Sequence, residues 1–223
     1  MFSALIVALA LQAGQTQPPA PPRGLTPGAQ ADAARLRACE ALAESEPEKA
    51  YEEGRAWVAE TPATEAKYCL AAAAYALGRP TLAAQQFEAV AAQLTGRDKG
   101  LQAGAQSDLG NAWLIAGNGA RALEAFNRAL AFAPQEAELF LDRARAYAYL
   151  GDWRRTEEDL NAFLDQRPMD PLGLRLRAEA RLQQGALELA WKDIEAARVI
   201  EPYSELVLDV RGRILQAKAA VRD

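Results

Sequence analysis

Arginine and aspartate recur at regular intervals in the C-terminal half of this 223-residue chain. Arg143, Arg177 and Arg211 follow one another at intervals of 34 residues, and Asp159 and Asp193 lie 16 or 18 residues from them. An arginine at a partly buried interface needs a carboxylate, because a buried charge without a partner is strongly destabilising. We therefore predict structural ion pairs among these residues. The alternative is an arginine cluster that binds anionic ligands.

Catalytic and metal-binding patterns are missing from the sequence. The chain contains no histidine, the residue that most often serves as general base or metal ligand. It also contains no G-x-S-x-G motif, no phosphate-binding glycine loop and no carboxylates with metal-ligand spacing. We predict a protein that is not an enzyme and that binds no metal and no small-molecule cofactor. A hydrolase with two carboxylates is the alternative, because such a pair can come from distant parts of a chain.

The two cysteines, Cys39 and Cys69, leave two interpretations open. They are too far apart to form the CxxC motif of redox proteins and zinc sites. In an oxidising compartment they could form a disulfide bond. Alternatively, both are small buried apolar residues, which is a common role of cysteine.

The elements that position these residues repeat, mostly with a period of 34 residues. Ala122, Phe126 and Ala129 lie on one face of a helix, since their offsets are four and seven, and Pro134 ends that helix. The pattern recurs, in some copies incompletely, at Ala50, Gly54, Trp57 and Pro62, at Ala83, Phe87 and Val90, at Thr156, Leu160, Phe163 and Pro168, and at Ala190, Ile194, Ala197 and Pro202. A fixed period of this length indicates a repeat array rather than a single core.

Another helix precedes each of these patterns. In the best-preserved copy it contains Gly110 and Trp113. Glycines suited to left-handed helix C-caps follow the preceding helices at Gly117, Gly151 and Gly185. The combined pattern resembles the tetratricopeptide repeat, which has W-x2-L-G-x2-Y, A-x3-F and P in about 34 residues. The resemblance extends from about Ala31 to the C-terminus.

The resemblance implies an all-α fold, a right-handed superhelical stack of antiparallel helix pairs, or α-solenoid. Neighbouring pairs must stack, because no single pair can bury both of its faces. The five predicted pairs cover residues 31–62, 64–95, 98–134, 137–168 and 171–202, and a C-terminal capping helix follows Tyr203. In that last helix, Leu208, Gly212 and Leu215 are in phase with the repeats, and the other face is charged. Residues 95–100 should interrupt the even spacing.

The N-terminal residues differ in composition from the repeats. Residues 1–13 are apolar and uncharged, too short to span a bilayer as a helix, and we interpret them as a signal peptide. Residues 14–30 are a proline-rich extended linker, and residues 31–223 form the solenoid domain. We therefore expect a periplasmic or secreted protein of bacterial type with no membrane span in the mature chain. An uncleaved hydrophobic tail is the alternative.

In proteins that this chain resembles, the first helices of the repeats line a concave groove. Here the groove positions contain mainly tyrosine, arginine and other polar residues, and tyrosine and arginine are enriched at binding hot spots. The candidate groove residues are Tyr68, Tyr75, Ser107, Asn111, Leu114, Arg145, Tyr149, Arg175 and Glu179. We expect Arg145, Tyr149 and Arg175 to form one cationic, aromatic patch for a peptide with acidic or aromatic side chains. Alternatively, all of these are ordinary surface residues.

The resemblance implies a non-catalytic module that binds a protein or peptide in its groove. A scaffold that uses the convex face or the proline-rich segment is the second interpretation. Nucleic acid is not an expected partner, because the net charge is −5 and no basic stripe with aromatic residues is present. Chaperone receptors of this family hold a C-terminal carboxylate with a Lys/Asn/Asn/Lys/Arg set. Asn111 matches one position of that set, whereas the next repeats have Asp142 and Leu172 instead, so a chaperone-tail receptor is not predicted.

Overall fold

The structure is a computed structural model that describes residues 27–221. Within these residues it contains eleven α-helices and no strand. The helices are α1 (Pro27–Ser45), α2 (Pro47–Glu60), α3 (Thr64–Ala76), α4 (Pro80–Gln93), α5 (Lys99–Ile115), α6 (Gly119–Phe132), α7 (Ala137–Tyr149), α8 (Trp153–Gln166), α9 (Pro171–Gln183), α10 (Leu187–Ile200) and α11 (Glu205–Ala220). The predicted all-α helical repeat stack is therefore confirmed.

The chain divides into two compact units, with the boundary between Gln93 and Leu94. The N-terminal unit contains α1–α4, and the C-terminal unit contains α5–α11. Short turns join the two helices of each pair, which makes them antiparallel neighbours. In the described range, no helix combines the length and the apolar character needed to cross a membrane.

One helix start differs from the predicted boundaries. Helix α1 begins at Pro27, so residues 27–30, which were assigned to the linker, are helical. Proline suits a first helical position because its φ is already fixed near the helical value and it needs no N–H partner there. The predicted signal peptide and the rest of the linker lie outside the described residues.

Residues 94–98 separate α4 from α5, close to the predicted interruption at residues 95–100. Helix α5 begins at Lys99, one residue after the predicted start of the third pair. The Asp98 side chain caps this helix by accepting hydrogen bonds from the backbone N–H groups of Gly100 and Leu101, at 2.8 and 3.3 Å. Asp98 satisfies two of the free N–H groups of the first turn and so fixes the start of the helix.

Glycines end the first helices of the repeats, as predicted. Gly117, Gly151 and Gly185 have φ values of +79°, +77° and +75°, in the left-handed region that favours glycine. Gly78 ends α3 in the same way, with φ of +66°. The helix ends are therefore fixed by local backbone geometry as well as by packing.

Large side chains of second helices pack against small residues of first helices. A Cβ atom at Gly110 would lie 2.5 Å from the ring of Phe126, so only glycine lets the two helices approach this closely. Phe126, Leu160, Phe163 and Ile194 are all fully or almost fully buried. The small–large–small pattern of the sequence therefore forms the core.

In the last helix, α11, the buried face is not the one that contains Leu208, Gly212 and Leu215, the residues in phase with the repeats. Val207, Val210 and Ile214 are buried in the core formed with α9 and α10. Leu208 and Leu215 are each 44 % exposed, and nothing lies within 4 Å of a Cβ built at Gly212. Charged residues of α11 form ion pairs with the preceding repeat. These pairs are Arg211–Glu195, Arg213–Glu179 and Lys218–Glu188.

Candidate functional site

Four residues at equivalent positions of successive first helices define one surface of the C-terminal unit. We call this surface the first-helix face, and its residues are Asn111 on α5, Arg145 on α7, Glu179 on α9 and Arg213 on α11. Arg145 donates a hydrogen bond to Oδ1 of Asn111 at 3.3 Å. Arg213 donates to both carboxylate oxygens of Glu179, at 2.8 Å to Oε1. The four side chains are therefore joined in two pairs, α5 with α7 and α9 with α11.

Asp142 is the centre of the polar network between α5 and α7. Its Oδ2 accepts hydrogen bonds from Ser107 Oγ at 2.8 Å and from Asn111 Nδ2 at 3.2 Å. Its Oδ1 accepts from Arg145 Nη1 at 3.3 Å, and its side chain is only 15 % exposed. An internal carboxylate therefore already accepts hydrogen bonds from the Asn111 amide and from Nη1 of Arg145.

Tyr149 holds the turn between α5 and α6. Its hydroxyl group donates to the carbonyl oxygen of Gly117 at 2.9 Å. Its ring lies so close to Gly119 that a Cβ there would be 2.6 Å from a ring carbon. Half of the Tyr149 surface is nevertheless exposed. The side chain therefore has a packing role in addition to its exposed surface.

The guanidinium group of Arg175 on α9 is partly buried. It forms no side-chain hydrogen bond or ion pair with another residue of the described range 27–221. Burial lowers the pKa of its guanidinium, the carboxylates of Glu179 and Glu201 act in the opposite direction, and Arg213 adds to the lowering. An arginine stays protonated in proteins even so. Arg175 therefore carries a positive charge whose side-chain hydrogen-bond donors are not used by other residues in the described range.

The structure gives the residues of the predicted cationic, aromatic patch different neighbours. Arg145 and Tyr149 on α7 are bonded to α5 and to the turn that follows it. Arg175 interacts electrostatically with Glu179, Glu201 and Arg213, which belong to α9, the end of α10 and α11. The three residues thus differ in how many of their polar groups are free for a ligand.

The predicted groove tyrosines of the N-terminal unit pack against its own core. The ring centroids of Tyr68 and Tyr75 lie 5.5 and 5.9 Å from that of Phe87 on α4. Phe87 is buried, and both tyrosines are partly buried. These contacts stabilise the pairing of α3 with α4 and account for part of the aromatic content of the candidate site.

The regularly spaced arginines connect the second helices of successive repeats. Arg143 donates two hydrogen bonds to Asp159, at 2.8 and 2.7 Å, and a third to Asn127 at 2.9 Å. Both partners lie 16 residues away, one before and one after the arginine. Arg177 repeats this geometry with Asp193, at 2.8 Å twice, and with Asn161 at 2.9 Å. The ion pairs of these two arginines use the 16-residue spacing.

Arg211 binds Glu195, at 2.6 Å, in place of Asp193. Glu195 lies 16 residues before Arg211 and corresponds to Asn127 and Asn161 in the earlier repeats, where an amide suffices because an aspartate supplies the charge. Burial disfavours ionisation of Glu195, but hydrogen bonds from Arg198 and Arg211 outweigh it and lower its pKa. These arginines all have protein partners, which leaves no anion-binding cluster among them.

The sequence analysis did not predict three residues of this ion-pair network, Arg181 and the amides Asn127 and Asn161. Arg181 donates to Asp193 at 2.6 Å and to Glu157 at 2.7 Å, and only 12 % of its side chain is exposed. The recurrence of Asn127 and Asn161 at the repeat period was a signal that could have revealed the amide partners. Arg181 has no counterpart at that period, so nothing in the sequence singles it out.

Cys39 and Cys69 form a disulfide bond with a Cα–Cα distance of 5.6 Å. It joins α1 to α3, and both residues are almost completely buried, with 4 % and 1 % of their surface exposed. Of the two interpretations of the cysteines, the structure contains the bonded one. Among the described residues, no three His, Cys, Asp or Glu side chains are arranged to hold a metal ion.

Comparison with known proteins identifies the repeat. Sequence profiles of the tetratricopeptide repeat match residues 70–137 and 114–173. The chain is therefore similar to tetratricopeptide repeats over these residues, within an all-α helical stack. Repeats of this kind commonly mediate protein–protein interactions and typically form non-catalytic modules. Comparison with curated proteins gives no significant match.

Solved structures of other repeat proteins have the same fold. Residues 41 to the end of MamA from Desulfovibrio magneticus RS-1 give a TM-score of 0.67 at 17 % identity, covering 82 % of this chain and 99 % of that one. TTC0263, a thermophilic TPR protein of Thermus thermophilus, gives 0.59 at 24 % identity, covering 84 % and 99 %. The first TPR of Spaghetti (RPAP3), bound to the HSP90 peptide SRMEEVD, gives 0.52 at 25 % identity, covering 54 % and 95 %.

Proposed function

We propose that this protein is a non-catalytic interaction module that binds an extended peptide or protein segment on its first-helix face. The observation that carries the proposal is the set of polar side chains at equivalent positions on α5, α7, α9 and α11. The structurally similar first TPR of Spaghetti, which is bound to a peptide, supports the same use of this fold. An HSP90-type C-terminal tail is not the proposed ligand, because Asp142 already occupies the donors of Asn111.

Site-specific photo-crosslinking distinguishes binding on this face from binding on the second helices. Gln216 lies three residues beyond Arg213 on α11, hence on the same side of that helix, whereas Lys192 lies on the second helix α10; both are exposed. We expect a photo-crosslinking amino acid at Gln216 to capture a protein in an extract of the cells that make this chain, and one at Lys192 not to do so. Mass spectrometry of the crosslinked peptide identifies the partner.

The converse result would contradict the proposal. Capture from Lys192 and not from Gln216 would favour the alternative, a scaffold that uses its other surface. Circular dichroism of both variants serves as the control, since each side chain is exposed and its replacement should leave the helical content unchanged.

We also propose that the protein is exported to a bacterial-type periplasm or to the cell exterior. The apolar residues 1–13 and the proline-rich residues that follow support export. A bond between Cys39 and Cys69 would also suit an oxidising compartment, since cytosolic thiols are kept reduced.

Export predicts that the native protein begins near Gly14. N-terminal sequencing of the protein isolated from its own cells, together with fractionation, measures this directly. Met1 on most molecules in a cytoplasmic fraction would be incompatible with export.

A further inference from the structure

The partly buried arginines of the C-terminal unit differ in whether they bind a carboxylate of the protein. Arg143, Arg177 and Arg181 each bind at least one carboxylate within the protein. The same is true of the arginines on the first-helix face, Arg145 and Arg213. Arg175 lies on the same helix as Arg177 and Arg181 but binds no carboxylate in the described structure.

The carboxylate nearest to Arg175 in sequence is already committed elsewhere. Glu179, one turn later on α9, accepts hydrogen bonds from Arg213 and, at 2.8 Å, from Gln183. Arg213 also binds Asp209 at 3.1 Å. A guanidinium that is partly removed from water without a carboxylate is unfavourable, and an incoming anion would relieve this.

The surroundings of Arg175 suit an acidic residue with an apolar neighbour. Leu172 lies one turn before Arg175 on α9, and Leu206 takes the equivalent position on α11; both are partly exposed. A carboxylate accepts two parallel hydrogen bonds from a guanidinium, which adds directionality to the charge attraction.

We propose that Arg175 anchors an aspartate or glutamate side chain of the bound segment, next to an apolar residue that contacts Leu172 and Leu206. This assignment rests on the proposed function and adds the ligand class. Arg145 is not the anchor, because its guanidinium already has a carboxylate partner in Asp142, which accepts from Nη1 at 3.3 Å.

Selection from a display library of random twelve-residue peptides tests the proposal. The peptides are fused at their C-termini, so that only side chains can supply the anion. We expect the wild-type protein to enrich sequences with Asp or Glu beside an apolar residue. The Arg175→Gln protein should lose this acidic preference, whereas Arg128→Gln, a control at an exposed arginine of the second helix α6, should retain it.

A double-mutant cycle on the most enriched peptide, made with an amidated C-terminus, measures the contact itself. Arg175→Gln and the Glu→Gln peptide should each weaken binding at least tenfold, and the two changes together should be no worse than either alone. Arg128→Gln should change the affinity less than threefold. Arg175→Gln should melt at the wild-type temperature, since it removes no internal partner.

The possible outcomes separate this assignment from the proposed function. Enriched peptides without an acidic residue, or additive losses in the cycle, would overturn the role of Arg175 while leaving peptide binding intact. Failure of the wild-type protein to enrich any peptide would overturn the role of Arg175, and binding by the face itself would then be decided by crosslinking at Gln216.

Discussion

Replacement of Asp193 by alanine should lower the free energy of unfolding of the C-terminal unit by about 3–5 kcal/mol. Asp193 accepts two hydrogen bonds from Arg177 and one from Arg181, and only 5 % of its side chain is exposed. The alanine variant would leave two guanidinium groups at a buried helix interface with fewer carboxylates to bind. Arg181 would retain Glu157, whereas Arg177 would retain only the amide of Asn161.

Urea unfolding monitored by circular dichroism measures this loss, and a surface ion pair provides the matched control. Glu158 pairs with Arg154 on the same helix, α8, and its side chain is 56 % exposed. Glu158→Ala should cost less than about 1 kcal/mol, because water screens exposed pairs. A loss for Asp193→Ala as small as that for Glu158→Ala would mean that the arginines find other partners or reach solvent.

The helices were predictable from the sequence because their signals are local and repeat. Proline after the second helix and glycine after the first both act on the backbone of their own residue, as Pro134 and Gly117 illustrate. The start of α1 at Pro27 was missed, because proline is common both in linkers and at first helical positions.

The partners of the site residues were harder to predict, because they depend on long-range contacts. The sequence offers Arg211 two acids, and only the three-dimensional packing selects Glu195 over Asp193. The same holds for Arg175, whose neighbour Glu179 is bound by Arg213 from a helix 34 residues further on. A residue type at a groove position therefore identifies a candidate, whereas the availability of its hydrogen-bonding groups requires the structure.

The second large effect is expected in the N-terminal unit. Its core cluster consists mainly of alanines, with Trp57 as its largest fully buried side chain. Small cores of this kind provide limited hydrophobic stabilisation, and cross-links are a common means of adding to it. The bond between Cys39 and Cys69 joins residues 30 positions apart and so restricts the unfolded chain.

Replacement of both cysteines by alanine should lower the stability of the N-terminal unit by about 3–4 kcal/mol, as expected from loop closure alone. This loss corresponds to an increase in the opened population on the order of a hundredfold or more. Trypsin cleavage should accelerate accordingly at basic residues of α1 and α2, such as Arg35, Lys49 and Arg55, provided that cleavage is slow relative to reclosing. Reduction of the wild-type protein by dithiothreitol should have the same effect.

Cleavage in the C-terminal unit provides an internal control, because both cysteines of the chain lie in the N-terminal unit. Sites on α6 and α8, such as Arg128 and Arg154, should be cut at the same rate with and without reduction. If reduction accelerated cleavage equally at all sites, the bond would stabilise the whole chain rather than its N-terminal unit. If it accelerated none, the packing of Trp57 and the alanines would suffice without the bond, and the disulfide would no longer support an oxidising compartment.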